Sequence, residues 1–107
     1  MLGTDKGENK MALTKEITQD KIEVVGAFKS IQVRTRTAVL EDGVELSASF
    51  HRHMLQCVSS VRNDDDSWTH TDTDVSGESA EVQAIAAAVW TDAVKSAGRT
   101  ANETASI

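Results

Sequence analysis

The strongest candidates for chemistry in this chain are two histidines one residue apart, in the stretch SFHRH at residues 49–53. On a β-strand, side chains two residues apart leave the same face, so His51 and His53 can face one ligand together. Two imidazoles can bind zinc, iron or copper, although a protein site usually takes a third or fourth ligand. The pattern therefore favours either a metal site at His51 and His53 or a polar strand face in solvent or at a subunit contact.

Further metal ligands for this pair are not evident, since His70, Cys57 and the aspartates of a later loop stand at no recognised spacing. A symmetric trimer removes that requirement, because three His-x-His pairs around one axis supply six imidazoles. In the hairpin predicted below, Arg34 lies opposite His51, and a neighbouring guanidinium disfavours a bound cation. We therefore predict no resident cofactor, with a metal site at His51 and His53 as the alternative.

The segment DTDVSGESAEVQ, residues 72–83, partly matches a calcium-binding loop. Asp72, Asp74 and Ser76 occupy the first, third and fifth positions of that motif, and a glycine follows. Gln83 stands where the motif requires a bidentate glutamate. We interpret this segment as a solvated acidic loop that leads into a helix.

Catalytic arrangements are not evident in the sequence. Cys57 with either histidine of the pair lacks a third group to orient the base. The run Asp64, Asp65 and Asp66 is typical of a solvated loop rather than of paired catalytic carboxylates. We therefore expect a protein without enzymatic activity, in which Trp68 and these three aspartates form a partner-binding surface.

The elements that position these residues begin with a hairpin. Asp42-Gly43 lies between two alternating runs, a strong signal for a two-residue turn. We predict strands over residues 30–40 and 44–55, paired so that Glu41 faces Val44. In that register the apolar side chains of both strands share one face, and His51 and His53 lie on the polar face. A short strand over residues 21–25 completes the sheet.

The C-terminal part predicts one amphipathic helix over about residues 77–97, with an N-cap at Ser76 and a C-cap at Gly98. Apolar residues recur at helical spacing, which forms a stripe for packing on the sheet. The members of this stripe are Val82, Ile85, Ala86, Val89, Trp90, Ala93 and Val94. The fold class is therefore α+β, a small antiparallel sheet packed by one helix, with residues 59–76 as an acidic loop.

The length of 107 residues fits a single domain, which we place at residues 21–97. Residues 1–20 and 98–107 are polar and are predicted to be flexible segments. Met11 follows Gly7-Glu8, whose codons can resemble a ribosome-binding site. We therefore hypothesise that Met11 is the true start, which the intact mass of the protein made from its own gene would test.

The amino-acid composition argues against nucleic acids and membranes as partners. A formal charge of −6 argues against nucleic-acid binding through a broad basic face. The single cysteine cannot build an internal disulfide framework, which favours a reducing compartment. Apolar runs are shorter than a membrane span, so we expect no membrane partner.

Three stretches together resemble small uncharacterised proteins encoded by tailed bacteriophages, especially those of marine bacteria. They are KIEVVGAFKSIQVRT, DGVELSASFHRH and SGESAEVQAIAAAVWTDAV, which lie within residues 14–97. His51-Arg52-His53 is also similar to the His-x-His iron motif of trimeric phage tail spikes. The resemblance implies a viral protein of the virion or its assembly, located in the virion or the host cytoplasm, and it brings no catalytic residues.

From these observations we expect a small non-enzymatic phage structural or accessory protein. A sheet with two open edges invites pairing with another chain, so its partner would be a second copy or a virion protein. The alternative is a metal-binding module that uses His51 and His53, for example at an oligomer axis.

Overall fold

The computed structural model describes residues 12–105 of the chain. This part forms strands and helices whose order and bounds are as follows. They are β1 (Leu13–Val25), β2 (Ser30–Glu41), β3 (Val44–Leu55), β4 (Val58–Arg62), β5 (Trp68–Asp72), α1 (Ala80–Val89) and α2 (Asp92–Ala105). Strands β1, β2 and β3 form one antiparallel sheet in that order, and β4 pairs with β5 in a second sheet. The predicted α+β class is confirmed.

The turn between β2 and β3 follows from its two residues. Asp42 and Gly43 have φ angles of 52° and 84°, the left-handed conformation that glycine adopts without a steric penalty. A two-residue loop of this kind matches the twist of the strands on either side. The predicted hairpin is present, with β2 ending at Glu41 and β3 beginning at Val44.

The predicted pairing of β2 with β3 is wrong away from the turn. The guanidinium carbon of Arg34 lies 4.6 Å from the ring centroid of Phe50, and Gln32 Nε2 lies 3.9 Å from Met54 Sδ. The predicted register placed the members of each pair on opposite faces of the sheet. Arg34 also donates hydrogen bonds of 3.1 and 2.8 Å to the carboxylate of Asp20 on β1. These polar and cation–π contacts stabilise a pairing that hydrophobic alternation does not reveal.

The single helix predicted over residues 77–97 is wrong, because α1 ends at Val89 and α2 begins at Asp92. The break occurs at Trp90, whose backbone has φ −89° and ψ 68°. Its indole Nε1–H donates a hydrogen bond of 2.8 Å to the carbonyl oxygen of Lys29. A buried indole N–H needs a hydrogen-bond partner, and Trp90 finds it in the Lys29 carbonyl. The helix ends at the residue that makes this contact.

A hydroxyl side chain caps the N-terminal end of each helix. Ser79 Oγ accepts a hydrogen bond of 3.2 Å from Val82 N, so the N-cap is Ser79 and not the predicted Ser76. Thr91 Oγ accepts a hydrogen bond of 3.2 Å from Val94 N at the start of α2. Each cap satisfies a backbone N–H group that has no partner within its helix.

The segment predicted as an acidic loop, residues 59–76, contains most of a hairpin. Strands β4 and β5 are antiparallel, with Ser60 opposite His70 and Arg62 opposite Trp68. Asn63 N donates a hydrogen bond of 2.7 Å to Ser67 O, which closes the turn between the strands. The serines and threonines that made this segment look like a loop therefore lie on the faces of a narrow two-stranded ribbon.

The ends of the ordered region also differ from the prediction. Residues 13–20, predicted to be flexible, belong to β1, and α2 continues through the predicted tail to Ala105. The proposed start at Met11 falls outside the described residues. Strand pairing and helix packing stabilise polar segments that have little apolar surface of their own.

The chain divides into two compact units, and the single domain over residues 21–97 stays a prediction. The first unit comprises Met1–Lys21 and Val33–His53, and the second comprises Ile22–Gln32 and Met54–Ile107. Among the described residues, the second unit has a core of buried apolar side chains. They are Ile31, Cys57, Val58, Val82, Ala86 and Trp90. The buried apolar residues of the first unit, within the same range, are Val33 and Ala38.

Candidate functional site

The sheet of the first unit has one charged face. Asp20 of β1 pairs with Arg34, and Arg36 pairs with Glu45 of β3. Arg34 and Arg36 are two residues apart on β2, so both pairs lie on the same face. These contacts fix the direction of the neighbouring side chains on each strand.

The opposite face of this sheet exposes several large apolar side chains beside polar ones such as Lys15, Thr35 and Thr37. Leu13 and Ile17 are an odd number of residues from Asp20, and Val44 and Leu46 flank Glu45, so all four point away from the charged face. Their relative exposures are 59%, 68%, 65% and 57%. We call Leu13, Ile17, Val44 and Leu46 the apolar face.

The histidine pair lies on the same side as the apolar face, contrary to the prediction. Phe50 shares the charged face with Arg34, so strand alternation turns His51 and His53 to the other side. Glu45 and Phe50 share one face at an odd separation, which requires an interruption of the alternation in β3, as at a β-bulge. The argument that Arg34 lies opposite His51 and repels a cation is therefore wrong.

The two imidazoles are close together but lack further ligands from the described part of this chain. The ring centroids of His51 and His53 are 6.3 Å apart, with 30° between the ring planes. Within residues 12–105, no group of three or more histidine, cysteine, aspartate or glutamate side chains is arranged to hold a metal ion. A metal on this pair would therefore need ligands from another source, such as a second copy of the chain.

His70 and Cys57, which the sequence offers as further ligands but at no recognised spacing, belong to the second unit and have structural contacts there. Cys57 is 2% exposed, and its Sγ lies 4.0 Å from the carbonyl oxygen of Val94. Burial raises the pKa of the Cys57 thiol above its ordinary value. A thiol held in its neutral form is a poor nucleophile and a poor metal ligand.

The predicted partner-binding residues lie along the β4–β5 hairpin. Asp65 Oδ1 accepts hydrogen bonds of 2.5 Å from Ser67 Oγ and 3.1 Å from Ser67 N, which hold the pKa of that carboxyl below its usual value. Asp66 Oδ1 lies 3.2 Å from Arg62 Nη2. Trp68 begins β5, and its indole is nearly parallel to the His70 ring, 6.2 Å away. Asp65 and Asp66 therefore shape the turn, while partner binding by these residues and Asp64 stays a prediction.

The carboxylates of the calcium-like segment have internal partners. Asp72 binds Lys95 at 3.1 Å and approaches Arg99 at 3.9 Å. Asp74 accepts a hydrogen bond of 2.9 Å from Ser76 N, which lowers the pKa of Asp74. Asp72 is the last residue of β5, so the predicted solvated loop begins only after it.

The structure assembles a side-chain relay that the sequence analysis did not identify. Ser60 Oγ lies 2.7 Å from His70 Nδ1, and His70 Nε2 lies 2.6 Å from Glu103 Oε2. Asn102 Nδ2 donates a hydrogen bond of 2.9 Å to Ser60 Oγ. The members come from β4, β5 and α2, and we call Ser60, His70 and Glu103 the relay.

The relay forms where one face of α2 packs on one face of the β4–β5 hairpin. Residues that contact β4 and β5 recur along α2 at intervals of three and four, which is the spacing of one helix face. They are Lys95, Gly98, Arg99, Asn102 and Glu103. This pattern was present in the sequence, but the helix was predicted to end before it, which hid the relay.

None of the helices within residues 12–105 is long and apolar enough to cross a membrane. Comparisons with known proteins give no family: no family model matches the chain, no curated protein matches it, and no solved structure matches it. The function therefore has to be inferred from the geometry of the apolar face, the histidine pair and the relay.

Proposed function

We propose that this protein is a small structural or accessory component that acts by self-association, with a second copy of the chain covering the apolar face. The observation that carries the proposal is the exposure of Leu13, Ile17, Val44 and Leu46 on one side of a three-stranded sheet. A group of exposed large apolar side chains is typical of a surface that another protein contacts. The described part of the first unit contains no helix that could cover these side chains.

The magnitude of the hydrophobic effect favours this arrangement. Full burial of a Val, Leu or Ile side chain contributes about 1.5–3 kcal/mol. The four side chains are 57–68% exposed, so burying them on both copies contributes on the order of 10 kcal/mol, against an association cost of about 4–15 kcal/mol. The face is thus large enough to drive association once edge hydrogen bonds or further contacts are added.

The distribution of charge points to a second copy as the partner. Within the described residues, the first unit carries as many cationic as anionic side chains. The cations are Lys15, Lys21, Arg34, Arg36 and Arg52, and the anions are Glu16, Asp20, Glu41, Asp42 and Glu45. The formal charge of −6 therefore arises from the second unit. Two neutral first units can approach without the repulsion that two acidic second units would experience.

The strand order provides a second means of association. Both β1 and β3 are edge strands of their sheet. An edge strand offers unpaired backbone groups that can extend the sheet into another chain. The resemblance to tailed-phage proteins supports a role in a virion or its assembly, with docking to a larger virion protein as the next step of assembly.

The test is the concentration dependence of mass in solution, measured by analytical ultracentrifugation. We compare Val44→Lys with Val61→Lys, because these valines have nearly equal exposures of 65% and 62% but belong to different units. Val44→Lys should weaken self-association at least about 10-fold, a change of about 1.4 kcal/mol. Val61→Lys should associate as the unsubstituted protein does. A protein that stays monomeric at high concentration, or equal effects of both substitutions, would contradict the proposal.

A second candidate function is metal binding at the histidine pair within the assembly. The supporting observation is that His51 and His53 lie on the same side as the apolar face, so association through that face brings the pairs of several copies together. Native mass spectrometry before and after a chelator should then show an assembly that loses metal and dissociates. His51→Ala should lose the metal, and an assembly that contains no metal would rule out this function.

A further inference from the structure

The relay has the geometry of an activated nucleophile. A serine hydroxyl, an imidazole and a carboxylate are joined by hydrogen bonds of 2.7 and 2.6 Å. A nucleophile within hydrogen-bond reach of a base, with a third group orienting that base, is the arrangement used in covalent catalysis. Ser60 and His70 are directly opposite each other on paired strands, so the backbone itself holds the first two members in place.

The protonation pattern of the relay is consistent with this role. The Glu103 carboxylate accepts a hydrogen bond from His70 Nε2–H, and this contact favours the imidazole tautomer with an unprotonated Nδ1. His70 Nδ1 can then accept the hydroxyl proton of Ser60. Glu103 thereby acts on the reaction through His70, as a positioning residue.

We propose that Ser60 is a nucleophile for small carboxylic esters with an apolar or aromatic acyl group, with His70 as its general base. This departs from the expectation, drawn from the sequence, of a protein without catalytic residues. The activity is independent of self-association, because every member of the relay belongs to the second unit.

The surroundings of Ser60 define the class of substrate. The Trp68 indole stacks on the His70 ring and supplies an apolar surface beside the relay. The His70 side chain keeps 19% of its exposure and that of Glu103 keeps 44%, so the relay is open to solvent near the end of α2. Asn102 Nδ2 donates a hydrogen bond of 2.9 Å to Ser60 Oγ, which orients the hydroxyl and puts an amide donor next to the attacking atom.

The reaction proceeds in two balanced steps. Ser60 Oγ attacks the ester carbonyl carbon, its proton moves to His70 Nδ1, and the carbonyl oxygen becomes an oxyanion. The oxyanion collapses, the bond to the alcohol breaks, and the alcohol leaves with the proton from His70. Water then attacks the acyl group on Ser60, and His70 accepts the proton of the water and returns it to the serine. The products are an alcohol and a carboxylic acid.

The first test is covalent labelling of the full-length folded protein with a fluorophosphonate, which transfers a phosphonyl group to an activated serine and releases fluoride. Intact mass should show one adduct per chain, and peptide mapping should place it on Ser60. Ser59 is the matched control, because the alternation of β4 turns its side chain to the other face of the hairpin, where its Oγ lies 3.5 Å from Thr71 O. Ser59→Ala should keep the label and Ser60→Ala should lose it.

The second test is hydrolysis of p-nitrophenyl butyrate, whose acyl group is apolar. Ser60→Ala should lower the rate at least about 100-fold, because it removes the attacking oxygen. Glu103→Gln should lower kcat and change its pH profile, since the tautomer of His70 is then no longer fixed by a carboxylate. A role confined to tethering α2 would change the unfolding temperature of these variants and leave the wild-type protein unlabelled. Absence of labelling in the folded wild-type protein, or an adduct that persists in Ser60→Ala, would overturn the proposal.

Discussion

Gly98 of α2 lies directly against Cys57, so closely that a Cβ atom added at Gly98 would be 3.1 Å from Cys57 Sγ. The same Cβ would be 3.2 Å from Val58 Cγ1. Both neighbours are buried, at 2% and 3% exposure, and have little room to move aside. Glycine at this point therefore lets the helix pack closely on the hairpin that carries the relay.

We predict that Gly98→Ala lowers the free energy of unfolding by about 1 kcal/mol. Overpacking costs about 1–3 kcal/mol, and the higher helix propensity of alanine offsets about 1 kcal/mol of it. Cys57→Ala in the same chain should remove most of the loss, because Sγ is the nearest obstacle. The control is Gly77→Ala, where a Cβ meets nothing within 4 Å. Urea denaturation measures all the variants, and a stabilised Gly98→Ala protein would contradict the close approach.

The turn of the β2–β3 hairpin should depend on Gly43. We predict that Gly43→Ala costs about 1–2 kcal/mol of stability, because a Cβ is strained in the left-handed conformation. Asp42→Asn should be nearly neutral, since asparagine also tolerates a positive φ. Thermal unfolding followed by circular dichroism compares the two variants with Gly77→Ala. Equal melting temperatures for Gly43→Ala and Gly77→Ala would argue against the left-handed turn.

The contribution of the hydrogen bond from Trp90 to the Lys29 carbonyl to the free energy of unfolding should be measurable separately. Trp90→Phe keeps most of the ring but leaves that acceptor without its donor, so we expect a loss of about 1–3 kcal/mol. Unfolding is followed by circular dichroism, because the substitution removes a fluorophore. In Trp68→Phe, the matched control, the remaining Trp90 should emit at short wavelength because it is 7% exposed. An unchanged stability of Trp90→Phe would contradict the structural role assigned to its indole.

The free energy of unfolding should decrease at acid pH as the Asp20 carboxylate becomes protonated. Two hydrogen bonds from Arg34 hold the pKa of the Asp20 carboxyl below its ordinary value of 3.8. A carboxyl whose pKa is lower in the folded state stabilises the protein above the unfolded-state pKa, and this contribution is lost as the pH falls through the folded-state pKa. Asp20→Asn should therefore lower the urea midpoint at neutral pH, and the difference from wild type should shrink below about pH 4.

High salt provides the control for this pH dependence. Because Asp20 and Arg34 lie near the surface, salt should reduce the difference between Asp20→Asn and the wild-type protein at neutral pH. A difference in urea midpoint that stays constant across the acid range would show that the carboxylate charge is not responsible. In that case the effect of Asp20→Asn would be steric.

Local chemistry made several features predictable from the sequence. Asp42-Gly43 determined where the chain reverses, because few residue types adopt two consecutive positive φ angles. The side chain of Trp90 was correctly expected in the core, because Trp90 belongs to the apolar stripe at helical spacing. The helical character of residues 80–89 followed from propensity and spacing. Each of these inferences depends on residues that are neighbours along the chain.

The sequence alone determined the α+β class, the β2–β3 turn and the helical character of residues 80–89. The tertiary structure decided the pairing of β2 with β3, the helix break at Trp90, the direction of His51 and His53, and the assembly of the relay. The reason is that the residues in these contacts are far apart along the chain. Arg34 is stabilised by Asp20 and Phe50 from two other strands, and His70 contacts Glu103 only after α2 packs on the hairpin. Contacts between distant segments leave no local periodicity, so only the folded chain could show which polar residues meet.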